Sequence, residues 1–186
     1  MIAKQSPLDG MATGTATTVT IRELQGLHSF DLRVKPGSVA QLAVTGALGI
    51  ELPGKTGLMQ AVSTPGGEEA HVLCLAPDWW LLVGFEEAGQ KLAQLKDQYH
   101  FSIVDVSGQR TTIELQGPHA RKILAHIWEQ DLREKSFPMG SVSQGLIAKA
   151  PVIVCHMAPL LYRIMVRSSF AVHVWKVGVD AGVEWV

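Results

Sequence analysis

The sequence predicts an α+β fold, internally duplicated into two ferredoxin-like halves of antiparallel-rich sheet with helices. Three observations predict it. The segments "VLCLAPDWWLLVGFEEAGQKLAQLKDQY", from Val72, and "VIVCHMAPLLYRIMVRSSFAVHVWKVGV", from Val152, share one order: an apolar run, a Cys, Ala-Pro, an aromatic strand and a helix. Pro77 and Pro159 stand 82 residues apart (159 − 77), and the same spacing separates Trp80 from Tyr162, Pro36 from Pro118 and Leu42 from Leu124. A unit of that length is too long for a solenoid repeat and marks the duplication of a small subdomain.

Each element follows from local pattern. Phe30, Leu32 and Val34 alternate as in a half-buried strand. Pro36 then opens a helix, where its missing N–H matters least, with Val39, Leu42, Ala43 and Gly46 as its stripe. The Ala-Pro turn joins two apolar strands into a hairpin, and Ala88, Leu92 and Leu95 recur at i, i+4, i+7 on the helix that follows. The strand "HFSIVDVS" bridges to the second half, where the order repeats through Ile113 and Leu115, the helix opened by Pro118, a second hairpin, and the stripe Phe170, Val174, Val177. The alternation around Phe30 is out of phase with Ile113 and Leu115 at this spacing, which predicts a bulge or a one-residue slip there. Residues 1–18 are expected to be a flexible arm. Residues 19–186 form a single duplicated unit, with halves about 19–103 and 104–186.

Composition narrows the function classes. Of the 186 residues 47% are hydrophobic, enough for a real core. The 16 Lys and Arg against 17 Asp and Glu leave no basic footprint for nucleic acid. The opening "MIAKQSPLDGMATGTATT" lacks the apolar core of a signal peptide, so a cytoplasmic location is expected. The most apolar region, Ala150 to Val166, is interrupted by Pro151, His156, Pro159 and Arg163, against a membrane helix. Two cysteines, Cys74 and Cys155, build neither a zinc site nor a disulfide scaffold.

The stretch "GIELPGKTG" matches the phosphate-loop pattern through Gly49, Gly54, Lys55 and Thr56, and "FSIVD", ending in Asp105, imitates its magnesium strand. A working loop needs a strand before it and a long helix after it, so that backbone N–H groups face the phosphates. Here a helical stripe precedes the motif and "GLMQAVSTPGG" follows, so a solvated loop is expected. Cys155 and His156 are strand neighbours pointing to opposite faces and cannot chelate one ion. His119 and His126 are two turns apart on one helix. "DVSGQRTT" reads as a tight turn whose Asp105 and Ser107 bond their own backbone. Of Trp79 and Trp80, one belongs to the core and the other covers a helix or meets a partner. No catalytic, cofactor-binding or metal-ligating residue is expected.

"SPLDG", "APDWWLLVG", "VDVSGQRTTIELQGPHARKILA", "IAKAPVIVCHMAP" and "YRIMVRSSFAVHVWKVGVDAGVEW" together resemble the gamma subunit of heterotetrameric sarcosine oxidase over nearly the whole chain. That family is similar in fold to the folate-binding domain of the glycine-cleavage aminomethyltransferase, itself a duplication. The resemblance implies a structural subunit without cofactors of its own, beside alpha, beta and delta subunits that hold FAD, FMN, NAD and tetrahydrofolate. It implies a complex that oxidises sarcosine to glycine, passes the one-carbon unit to tetrahydrofolate and releases hydrogen peroxide. Two alternatives are a folate-dependent aminomethyltransferase and the equivalent small subunit of an N-methyl amino acid dehydrogenase. The first meets two absences: no carboxylate lies in "KAPVIVCHMAP", where the transferases carry one, and the K-G-C-Y-x-G-Q-E signature of another folate-binding relative is missing.

The final helix carries a second apolar stripe, Val172, Trp175 and Val179, opposite the first. The matching first-half residues, Gln90, Ala93 and Asp97, are more polar. A contact with another subunit is therefore expected at Val172, Trp175 and Val179.

Overall fold

The duplication seen in the sequence organises the strand pairing. The structure, a computed structural model, describes residues 6–63 and 69–186. In chain order the elements are β1 (Ala12–Thr15), β2 (Val19–Leu24), β3 (Ser29–Val34), α1 (Val39–Leu48), β4 (Met59–Ser63), β5 (Glu69–Ala76), β6 (Trp79–Val83), α2 (Ala88–Ala93), β7 (Phe101–Asp105), β8 (Arg110–Gln116), α3 (Ala120–Ile127), β9 (Val142–Ile147), β10 (Ala150–Ala158), β11 (Leu161–Arg167) and α4 (Ala171–Ala181). They divide into two compact units: Leu27–Ser107, and a discontinuous unit joining the chain up to Gly26 with Gly108–Val186.

Both sheets are antiparallel and repeat one order. One runs β4-β5-β6-β3-β7 and the other β9-β10-β11-β8-β2, with β1 added beside β2. Each sheet borrows a strand from the other half of the sequence: β2 pairs with β8, and β7 pairs with β3. Val19 and Ile21 of β2 accordingly lie in the same core as Ile113, Leu115, Val154 and Ile164. Phe30, Leu32, Val72, Trp80, Leu82 and Leu92 build the core of the other unit.

Register explains the phase break. Leu32 stands opposite Trp80 and Leu115 opposite Tyr162, so Leu32 corresponds to Leu115, one residue beyond the 82-residue spacing. It is a one-residue slip, because the pairings of β3 and β8 carry no irregularity. The bulges lie instead at Cys74/Ala76 and His156/Ala158, at corresponding places beside the two Ala-Pro turns.

The helices depart further from the spacing. Leu42, matched with Leu124 by sequence, is 71% exposed, whereas Leu124 is fully buried. α1 turns Ala40 and Val44 inward, so the stripe through Val39 and Leu42 faces out. Pro36 and Pro118 precede the N-caps Ser38 and His119 instead of occupying the first helical position. Ser38 Oγ accepts a bond from Gln41 N at 3.2 Å, the usual way to satisfy an orphan helix N–H.

The expected arm lies partly outside the described residues. From Ser6 on it is docked: Leu8 is buried in the core and β1 pairs with β2. The cause is Glu23, whose carboxylate accepts from Ser6 Oγ and from Gly10 N, the latter at 2.6 Å. No helix among the described residues is long and apolar enough to cross a membrane.

Candidate functional site: a partner-facing surface

The phosphate-loop motif sits at the wrong end of a helix. Gly49 is the C-cap of α1, in the left-handed conformation (φ 67°), so "ELPGKTG" follows the carbonyl end, whose partial negative charge repels phosphate. Lys55 and Thr56 are exposed, and Trp80 Nε1 ties the loop down by donating to Pro53 O at 3.0 Å. The imitation magnesium ligand is equally local: Asp105 Oδ1 accepts from Ser107 N at 2.9 Å and from Ser107 Oγ at 2.6 Å.

The remaining candidates resolve into packing. His156 is buried, with Nδ1 3.0 Å from Phe137 O and its ring stacked between Tyr162 and Phe137 at 4.6 and 5.9 Å. Burial pushes the neighbouring Cys155 thiol up to about 12, against the attraction of Arg163. Burial also raises Cys74, opposed by a hydrogen bond with Thr56. His119 and His126 both lie against Trp185, with ring centroids 5.0 and 6.4 Å away, and Lys122 Nζ stands 5.6 Å from a Trp185 ring. Trp79 Nε1 donates to Asp31 Oδ1 at 3.1 Å, and the Arg33 guanidinium lies 4.6 Å above its ring. Among the described residues no three His, Cys, Asp or Glu side chains are grouped to hold a metal ion.

Sequence reasoning missed a charge network on the larger sheet. Arg22, Glu114 and Arg163 occupy one row across β2, β8 and β11. Arg22 donates to Glu114 Oε1 through Nε at 2.8 Å and Nη2 at 2.5 Å, while Arg163 Nε donates to Oε2 at 3.0 Å. Their alternation with Ile113 and Leu115 was the available signal, since a carboxylate facing away from one core in a central strand needs charged neighbours. All acceptor positions used are taken by guanidinium, which suits a structural tie better than a proton-transfer group.

α4 was expected to carry the interface. Its buried residues are Ala171, Val174, Trp175 and Gly178, spaced i, i+3, i+4, i+7. The inward face is thus rotated from the one expected: Phe170 is 41% exposed, and Trp175 is 5% exposed within its own unit's core. Val179 packs half-buried against the same core, whereas Val172 is 44% exposed. Val183, beyond the helix, is 73% exposed. The outward apolar residues are therefore Phe170, Val172 and Val183.

Residues 34–184 match the model of the "Sarcosine oxidase, gamma subunit family". The sarcosine oxidase subunit gamma of Corynebacterium sp. (strain P-1) is 32% identical over 181 residues, 95% of this chain and 87% of that one. A chain of the heterotetrameric sarcosine oxidase from Corynebacterium sp. U-96 superposes with a TM-score of 0.85 at 27% identity, covering 97% of this chain and 95% of that one. The glycine cleavage system aminomethyltransferase T from Bartonella henselae shares the fold, with a TM-score of 0.64 at 13% identity over 93% of this chain and 56% of its own. This chain belongs to the sarcosine oxidase gamma subunit family.

Proposed function

We propose that this chain is a non-catalytic structural gamma subunit of a heterotetrameric sarcosine oxidase. The observation that carries the reading is the near full-length match to a chain of such an assembly. The complex oxidises sarcosine to glycine, passes the one-carbon unit to tetrahydrofolate and releases hydrogen peroxide. Its alpha, beta and delta subunits hold FAD, FMN, NAD and tetrahydrofolate, and this chain holds none. Residues 19–186 act as one duplicated unit of the folate-binding-domain type, in which the folate site is disused: "KAPVIVCHMAP" supplies no carboxylate. The cytoplasm suits two free, buried thiols. One contact with another subunit is made by α4 through Val172 and Val179, over Trp175 packed beneath.

The test compares the chain alone with the chain co-expressed with the other subunits. Alone it should show no flavin absorbance and no sarcosine-dependent peroxide, and with its companions it should form a tight complex. Flavin bound by the lone chain, or turnover by it, would overturn the proposal.

A further inference from the structure

The two units differ at one corresponding place. In the discontinuous unit, α3 ends at Trp128, whose backbone is extended (φ −134°, ψ 132°). Trp128 forms an antiparallel bridge with Ile147 on edge strand β9, and its indole lies over Gly145, so close that a Cβ there would stand 2.5 Å from Nε1. The chain thus covers this edge itself, with one short strand contact and one large aromatic ring.

Register locates the same place in the other unit. Gly145 pairs with Val152 and Val62 pairs with Ala70, and 152 − 70 restores the 82-residue spacing, so Gly145 corresponds to Val62. There α1 does not release its chain along β4. It ends instead at Gly49, and β4 remains an edge strand with no second neighbour among the described residues. Between them lies an open groove of about 470 Å³, with Thr45, Gly46, Gly49 and Ile50 on the helix side and Gln60, Ala61 and Val62 on the strand.

Three features distinguish this groove from ordinary surface. β4 is "MQAVS", without the charge or proline that usually protects an edge strand. α1 contains no charged residue, and Val39 and Leu42, 67% and 71% exposed, continue the face that carries Gly46 and Gly49. The one ionisable residue of the lining is Glu51.

We propose that an extended segment of a non-identical subunit adds antiparallel to β4, places a large aromatic side chain in the groove, and sets a Lys or Arg against Glu51. Trp128 on β9 is the template for the strand contact and the ring, and Glu51 sets the charge of the incoming segment. Strand addition of this kind draws affinity from main-chain bonds and specificity from the side-chain pocket. The inference rests on the subunit role proposed above.

The test uses the assembled complex. A photo-crosslinking benzoylphenylalanine at Ala61 should yield an adduct with a segment of a different subunit, identified by mass spectrometry. Gly46→Trp should fill the groove from the helix, because a Cβ at Gly46 meets nothing within 4 Å. It should lower co-purified companions by about tenfold or more while circular dichroism and melting of the free chain stay unchanged. An adduct with a second copy of this chain overturns the proposal, as does the absence of any adduct together with normal assembly of Gly46→Trp. If Gly46→Trp does not fold, the adduct alone decides. If the unaltered chain recruits no companion at all, the subunit role itself falls, and this proposal with it.

Discussion

Arg163 Nε and Glu114 Oε2 meet at 3.0 Å across neighbouring strands, and Arg22 holds the other carboxylate oxygen. Glu114 is 2% exposed in its side chain, Arg163 17% and Arg22 51%. Glu114→Gln therefore leaves Arg163 largely buried without its anion while Arg22 can turn to water. Breaking a buried pair costs about 3–5 kcal/mol, and the access of Arg22 to solvent puts this case near 3. Thermal melting should fall by about 6–12 °C. A shift under about 2 °C would mean that the network contributes little.

The Cys155 thiol gives a pH prediction. Its folded value lies at about 12, above the unperturbed 9.0, because burial opposes the thiolate. Below pH 9 both states keep the proton and stability is unaffected. Between about 9 and 12 the unfolded chain releases a proton that the folded chain retains, so stability falls by about 1.4 kcal/mol per pH unit from this group. Cys155→Ala should flatten that part of an alkaline denaturation series. An unchanged slope in the variant would show that the thiol ionises in the folded chain. In the native chain neither Cys155 nor Cys74, both buried, should react with a thiol reagent at pH 8.

Strands were more legible in the sequence than helices, for a physical reason. A strand in a half-buried sheet alternates with a period of two, and the Ala-Pro turns pin both hairpins, so Trp80 and Tyr162 align at once. Helix faces depend on which side the sheet lies. In α1 the residues are apolar nearly all round, and the pattern could not choose between the Val39–Leu42 face and the Ala40–Val44 face that is buried. The exchange of β2 and β7 between sheets left no local trace, because pairing partners far apart in sequence are not encoded by periodicity. For the same reason the Arg22–Glu114–Arg163 row was legible only in part: alternation with Ile113 and Leu115 turns Glu114 away from that core, but its two arginine partners lie on strands distant in sequence.

Lys55→Ala with Thr56→Ala tests the phosphate-loop motif. Both side chains are exposed on a loop after the carbonyl end of α1. Calorimetry should show no ATP binding in either form, and assembly should be unchanged. Stability should move by under about 0.5 kcal/mol, apart from the loss of the Thr56 bond to Cys74. Binding of ATP to the original chain, lost in the variant, would restore the motif to function.

Trp175 and Val172 separate core from surface on a single helix. Trp175 is 5% exposed and packed in its unit's core, so Trp175→Ala should destabilise the free chain by about 3–5 kcal/mol, through lost burial and the cavity left behind. Val172 is 44% exposed, and Val172→Gln should change the free chain by under about 0.5 kcal/mol. If α4 faces another subunit, Val172→Gln should nonetheless weaken co-purification with the companions, because a buried amide without a partner costs about 1–3 kcal/mol at an interface. Changing Val172, Trp175 and Val179 together would confound the two effects, since Trp175 alone is enough to loosen the fold. The single Val172 variant gives the clean answer: a complex that assembles with unchanged affinity places the partner away from this face of α4.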